Sequence, residues 1–269
     1  MNQYASAKEL FSDDFDLSGY FDSLTFEYAK KSLVDAITAH DTPLVFLLGA
    51  PGSGKSFLLN YVTKKVQNIR VAKYFTHPYF DDKEFLEILL SMAGKNIERN
   101  ELTTEALISA LRKNFNNLEY TIFIDEAQLL TEDQIELVRI LSDQKIFQFV
   151  LAMHEKEGKY ILEKDHFKSR TTRVIKLESL QDHEVARYIE HRLLSNNLSE
   201  LASLFSKGHY RQISNFTKRN FRTTKKLVKT LFEIMNIAHK EDLSKKFLKV
   251  SDRTLTMAAI DIGLIDVEQ

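Results

Sequence analysis

Between residues 44 and 177, short apolar runs of β-rich composition alternate with stretches whose apolar positions recur at helical spacing. LVFLL (44–48), IRVAKYF (69–75), YTIFI (120–124), FQFVLAM (147–153) and RVIKL (173–177) are rich in Ile, Val, Phe and Tyr and read as buried strands. Helix patterns lie between them. One covers 56–66, and another follows Asp81 with apolar Phe85, Leu86, Ile88, Leu89 and Leu90. A third is TEALISALRKNF, and a fourth opens at Thr131, where Thr131 and Gln134 have the spacing of a capping box. Five strands joined by helical crossovers predict an α/β fold with a parallel sheet covered on both faces.

After residue 177 the β signal fades. Residues 182–195, 198–205, 209–218 and 223–239 read as helices, so the last third is expected to be an all-α subdomain. SDRTLTMAAIDIG is read as one more helix, capped by Ser251. The stretch 207–229 carries eight Lys or Arg and no acidic residue. It is either a solvated helix face or a surface turned toward an anion.

Composition narrows the classes without choosing among them. The chain has 269 residues and a formal net charge of −1, which gives no overall attraction to nucleic acid or an anionic membrane. It has no cysteine, which excludes disulfides, zinc–thiolate sites and thiol catalysis. The polar, acidic start MNQYASAKELFSDDFDL lacks the basic and apolar regions of a signal peptide, and no run of about 18 apolar residues occurs. A cytoplasmic protein is expected, with any membrane association made through partners and no direct insertion.

The chemistry concentrates at two strand ends. Only eight glycines occur in the chain, and three of them fall in GAPGSGKS, between the first strand and the first crossover helix. The spacing Gly49, Gly54, Lys55, Ser56 is G-x-x-x-x-G-K-S. Backbone N–H groups of such a turn wrap a polyphosphate, and the helix N-terminus adds partial positive charge. Lys55 would reach the β- and γ-phosphates and Ser56 would hold Mg²⁺. The second strand end is YTIFIDEAQ, about 70 residues further on. It delivers Asp125 and Glu126 to the C-terminal edge of the sheet, where open α/β sheets bind ligands. Asp125 would bind Mg²⁺, directly or through water. Glu126 is placed to polarise an attacking water, because γ-phosphate hydrolysis needs an oriented nucleophile more than a strong base. The two motifs together point to a Mg²⁺-dependent ATPase, and no guanine-selecting N-K-x-D run is present.

With these motifs in place, the chain resembles an AAA+ ATPase. Within that group it is most similar to the ExeA-like proteins (general secretion pathway protein A) and the related transposition-helper ATPases. The similarity runs from about Tyr20 to Ile237 and rests on YFDSLTFEYAKKSL, GAPGSGKS, FIDEAQLL, ELVRILSD, FVLAMHE, SRTTRVIKLESL, EVARYIEHRLL and NFRTTKKL. It implies a P-loop NTPase core with a five-stranded parallel sheet between helices, followed by a small all-α lid. The expected division is an N-terminal segment over 1–24, the core over 25–178, and the lid with C-terminal helices over 179–269.

The resemblance also implies roles for matching positions. Nucleotide would be held by Gly49, Ala50, Pro51, Gly52, Ser53, Gly54, Lys55, Ser56 and Phe57. His154 falls in the sensor-1 region, where family members often carry glutamine or asparagine; a surface histidine is the alternative. Arg170 matches the arginine finger that one subunit supplies to the site of the next, with Arg173 as the alternative. Arg222 matches sensor 2, although Asn220 and Phe221 replace the more usual Gly-x-Pro. The rings of Tyr20 and Phe21 resemble a segment that closes over adenine, or else they pack in the core. The implied ligands are ATP and Mg²⁺, and the implied assembly is a homo-oligomer. Two settings are open: an assembly factor for type II secretion, a type IV pilus or DNA uptake, or a DNA-associated transposition helper. A nucleotide-binding scaffold without turnover is the third reading. The letters DEAQ do not make this a helicase, since the second RecA-like half and its motifs are missing.

Overall fold

A computed structural model describes residues 2–12, 21–39, 41–67, 71–78, 81–92, 103–115, 120–168 and 172–266. In chain order the elements are α1 (Gln3–Leu10), α2 (Leu24–Ala39), β1 (Leu44–Gly49), α3 (Lys55–Val66), β2 (Val71–Phe75), α4 (Asp82–Ser91) and α5 (Thr104–Asn114). They continue as β3 (Tyr120–Ile124), a 3₁₀ turn (Ala127–Leu129), α6 (Glu132–Asp143), β4 (Phe147–His154), α7 (Glu155–Leu162), α8 (Asp165–Lys168) and β5 (Thr172–Leu177). The rest is helical: α9 (Asp182–Leu194), α10 (Ser199–Ala202), α11 (Lys207–Thr217), α12 (Phe221–Lys240), a second 3₁₀ turn (Lys245–Leu248) and α13 (Asp252–Asp261).

The five strands form one sheet in the order β2-β3-β4-β1-β5, with every neighbouring pair parallel. The parallel sheet expected from the apolar runs is therefore present. The three strands with strands on both sides, β3, β4 and β1, are buried almost throughout, whereas edge strand β2 exposes Val71 and Lys73. A charged edge of this kind discourages pairing with another chain. The sequence placed the second strand from residue 69; residues 69 and 70 lie outside the described residues, and β2 begins at Val71. The expected capping box at α6 is made in full. Gln134 N–H donates to the Thr131 hydroxyl at 3.2 Å, and Thr131 N–H donates to the Gln134 side-chain oxygen at 3.1 Å.

Some elements fall outside the sequence-predicted set. Helices α1, α2 and α7 were not predicted, and the helix expected over 198–205 shrinks to Ser199–Ala202. Gly158 hides α7, because a glycine in a helix interior reads as a weak point. Here it is a close-approach residue: a Cβ at Gly158 would lie 2.3 Å from Leu48 Cδ2. A side chain at this position would force the fully buried Leu48 side chain of β1 to move.

The chain divides into two compact units, one of residues 26–51 and 55–177 and the other of 1–25, 52–54 and 178–269. The first holds the sheet, with a core that includes Phe46, Phe85, Ile122, Phe147 and Phe149. Its buried Gln148 donates to the Ala36 and Thr42 carbonyls, each at 2.8 Å, and lies 3.2 Å from the Thr121 hydroxyl through its side-chain oxygen. The Gln148 amide is thereby paired on both its nitrogen and its oxygen inside the sheet unit. The second unit is all helical, with a core around Phe11, Tyr188, Leu227 and Phe232. Phe21 is buried there and packs against Tyr188 at 5.5 Å between ring centroids. Tyr20 lies outside the described residues. No helix among the described residues is long and apolar enough to cross a membrane.

Candidate functional site

The glycine loop leaves β1 at Gly49 and enters α3 at Lys55. Gly52 has φ +75° and Gly54 φ +103°, both outside the range that side chains tolerate well. At Gly52 the constraint is double. Within the helical unit, to which 52–54 belong, a Cβ there would lie 2.8 Å from Asn220 Oδ1 and 2.9 Å from Arg222 Cβ. The Arg222 N–H donates to the Gly52 carbonyl at 3.1 Å. Asn220 is the N-cap of α12 and its side chain accepts from Thr223 N–H at 3.1 Å, which fixes the start of that helix. Arg222 itself is exposed.

Lys55 is buried, 6% exposed, and its ammonium donates to the carbonyls of Gly49 at 2.9 Å and Ala50 at 3.1 Å. Ala50 and Pro51 are exposed, while Ser56 and Phe57 are half-buried, the Phe57 ring packing against Phe26 at 5.7 Å. The Ser53 hydroxyl is buried and has no hydrogen-bond partner. A cradle of left-handed glycines, an orphaned hydroxyl, a helix N-terminus and a buried ammonium suit a polyphosphate.

The carboxylate pair follows β3. Asp125 is 3% exposed, and its N–H donates to the Phe75 carbonyl of β2 at 2.9 Å. Its Oδ1 accepts from Glu126 N–H at 2.9 Å and its Oδ2 from the Tyr74 hydroxyl at 3.1 Å. Glu126 adopts the left-handed conformation, φ 49° and ψ 36°. The Gln128 side-chain amide donates to Glu126 Oε2. His154 Nε2 lies 3.9 Å from that same oxygen, and its Nδ1 lies 4.0 Å from Glu157 Oε2.

Burial, and then the negative charges of Asp125 and Glu126, hold the Tyr74 hydroxyl far above its ordinary pKa of 10.0. Tyr74 is therefore a neutral donor to Asp125. Sequence reasoning missed it. The only local signal was an aromatic pair ending the strand beside the one that carries Asp125.

The register relates these groups. Gly49 of β1 is level with His154 of β4 and with Leu177 of β5, and Ile124 of β3 is level with Leu151 of β4. The loop, His154 and the carboxylate pair thus all leave the C-terminal edge of the sheet. One strand separates β1 from β3, a lateral offset of roughly 10 Å. His154, expected just past the fourth strand, is its last residue. Arg173 is level with Val45, four residues back from the Leu177–Gly49 pair, or roughly 13 Å along the strand. It lies away from the loop of its own chain. Arg170 lies outside the described residues. For a divalent cation, Ser56 and Asp125 offer oxygen donors of the kind that Mg²⁺ takes.

Residues 38–160 match the family model described as an AAA domain. No curated protein matches the chain by sequence. Among solved structures, the chain is similar to Drosophila ORC bound to DNA, with 14% identity, TM-score 0.62 and coverage of 99% of this chain and 72% of that one. It is similar to the Thermotoga maritima RuvB Holliday junction branch migration motor, with 16% identity, TM-score 0.57 and coverage of 93% and 73%. It is also similar to the Aeropyrum pernix ORC2 protein in its ADPNP–ADP complexes, with 13% identity, TM-score 0.54 and coverage of 94% and 71%. At these identities the likeness establishes the fold: a parallel five-stranded sheet flanked by helices, in the AAA+ arrangement, followed by further helices.

Proposed function

We propose that the chain is a Mg²⁺-dependent ATPase whose nucleotide state governs its self-assembly. One observation carries the reading: the glycine loop with buried Lys55 and the Asp125–Glu126 pair leave the same edge of one parallel sheet. In this reading the amides of 49–56 bind the phosphates, Lys55 reaches the β- and γ-phosphates, and Phe57 continues the nucleotide contacts. Ser56 and Asp125 hold Mg²⁺, which would neutralise charge on the phosphate oxygens. Glu126 orients the attacking water, and His154 stands where a polar group can sense the γ-phosphate. Arg222 follows the loop from the start of α12. Arg170, with Arg173 as alternative, is supplied by a second copy of the chain, whose planar positive fork stabilises charge on the transferred group.

Glu126→Gln tests the core of this reading. ATP binding is expected to persist while turnover falls by orders of magnitude, trapping whatever assembly ATP induces. Size should be followed by light scattering with a slowly hydrolysed analogue. Normal turnover in that variant would remove Glu126 from its role. A size independent of nucleotide would leave a constitutive scaffold instead of a switch.

For the process served, the resemblance to ExeA-like proteins favours an assembly factor for secretion, a type IV pilus or DNA uptake. A second reading, action on DNA, draws support from α11 and α12. Lys207 and Arg211 stand one turn apart on α11, Arg222 and Lys226 one turn apart on α12, with Lys218 and Arg219 at the turn between, and all six are exposed. Duplex binding at two salt concentrations separates the readings. Affinity that falls steeply with salt supports contact with phosphate backbones, and no binding at either concentration supports the envelope role.

A further inference from the structure

Tyr74, next to last in edge strand β2, donates its hydroxyl to the carboxylate of Asp125, just past the end of β3. Tyr74 lies on the other face of β2 from the exposed Val71 and Lys73 and is half-buried, so its hydroxyl is not turned to solvent with them. Instead Tyr74 and Phe75 together grip one residue of β3: the Phe75 carbonyl accepts the Asp125 N–H at 2.9 Å, and the Tyr74 hydroxyl donates to Asp125 Oδ2 at 3.1 Å. The other oxygen, Oδ1, takes the Glu126 N–H at 2.9 Å. A carboxylate has about four lone-pair sites. With one donor on each oxygen it cannot turn about its own axis without breaking a bond, so its remaining lone pairs point in fixed directions. The same arrangement reaches Glu126. That residue sits at φ 49°, a conformation that a non-glycine residue holds only when its surroundings impose it. The bond from Glu126 N–H to Oδ1 is one such restraint, and it is only as rigid as the carboxylate that accepts it.

We infer that Tyr74 is a positioning residue that orients the Asp125 carboxylate toward a phosphate-bound divalent cation and, through Oδ1, steadies the turn carrying Glu126. This rests on the nucleotide-binding reading above. The phenol touches neither nucleotide nor metal in this role and acts only through Asp125. A phenylalanine would fill the same space, so the oxygen alone carries the function. Second partners of this kind commonly govern metal affinity by about 10-fold or more.

The test is Tyr74→Phe in the full chain, which keeps the ring and its packing. Mn²⁺ replaces Mg²⁺ as a paramagnetic probe, and its binding is read by electron paramagnetic resonance with a slowly hydrolysed ATP analogue present. The Mn²⁺ dissociation constant is expected to rise about 10-fold. Nucleotide affinity in chelator should stay unchanged, and the Mg²⁺ concentration that half-saturates turnover should rise in parallel. In an Asp125→Asn background, Tyr74→Phe should have no further effect on Mn²⁺ binding, because the residue it acts through is already gone. Wild-type Mn²⁺ affinity in Tyr74→Phe, with only a lower unfolding midpoint, would reduce Tyr74 to packing and overturn the inference. So would a full additional loss in the Asp125→Asn background. If the wild type itself retains no Mn²⁺ with the analogue, the nucleotide-site reading fails first, and the two failures are told apart by that measurement alone.

Discussion

In the helical unit the buried carboxylate of Glu184, 0% exposed, accepts the Leu24 N–H at 2.7 Å on one oxygen and the Gln181 N–H at 2.8 Å on the other. Among the described residues of the sheet unit the buried charges are Lys55 and Asp125, and their partners differ in part. Lys55 rests on carbonyls of its own loop, and Asp125 on a phenol and a neighbouring amide. All three are charged groups taken out of water, which is costly unless they are bonded. Glu184 recovers that cost by tying down amides at two helix starts, where intrahelical partners are lacking. Two acceptors of Lys55 are neutral carbonyls that a phosphate oxygen, bearing charge, would displace on the proposed reading. Glu184 is fixed by backbone amides at helix starts as part of the architecture, whereas on the proposed reading Lys55 would exchange its carbonyl partners for a phosphate and Asp125 would keep its own and turn its free lone pairs to a cation.

Deleting one charge from each unit is the strongest way to break that distinction. Lys55→Ala is expected to reduce nucleotide binding by orders of magnitude with a smaller loss in unfolding midpoint than the change at Glu184, since it removes a desolvated ammonium and one of its two carbonyl partners, that of exposed Ala50, can turn to water. Glu184→Ala should do the reverse. It orphans two amides, each worth about 1–3 kcal/mol, for a loss of roughly 3 kcal/mol in denaturant unfolding, while the folded protein binds nucleotide as before. If the two variants lose stability equally, or if folded Glu184→Ala protein cannot bind nucleotide, the division between architectural and functional charge does not hold.

The same division explains how much could be read from the chain. Strand and helix periodicity is a local signal, so β1, β3, β4 and β5 emerge within a residue of their ends, and the Thr131–Gln134 and Ser251 caps emerge with them. Lys55, Asp125 and Glu126 were legible because a phosphate loop and a strand-end acid pair are contiguous patterns. What stayed hidden depends on residues distant in sequence. Tyr74 meets Asp125 across 51 positions, and Leu24 meets Glu184 across 160. The aromatic pair Tyr74–Phe75 is the one local hint of the first contact, and no pattern near Leu24 signals the second. Helix α7 was hidden for the opposite reason: Gly158 weakens its local pattern, and its necessity shows only against Leu48.

A finer comparison uses two capping boxes of equal chemistry, one in each unit. At α6, Thr131 and Gln134 exchange bonds of 3.2 and 3.1 Å; at α13, Ser251 and Thr254 exchange bonds of 3.3 and 3.0 Å. Losing either hydroxyl leaves one helix-start amide without its acceptor, so Thr131→Ala and Ser251→Ala should each cost about 1 kcal/mol in denaturant unfolding. Their effects on turnover should differ. Thr131 stands five residues after Glu126, joined to it by the turn at Ala127–Leu129, whose Leu129 N–H donates to the Glu126 carbonyl at 2.9 Å. Fraying at the start of α6 therefore loosens the segment that aims Glu126, and turnover should fall a few-fold in Thr131→Ala. Ser251 has no such connection in sequence to either motif, so Ser251→Ala should hydrolyse ATP at the wild-type rate. Equal turnover losses for equal stability losses would mean that activity tracks global stability and that the Glu126 turn has no local dependence on its helix. A loss confined to Thr131→Ala would place the restraint on Glu126 in the dozen residues around it.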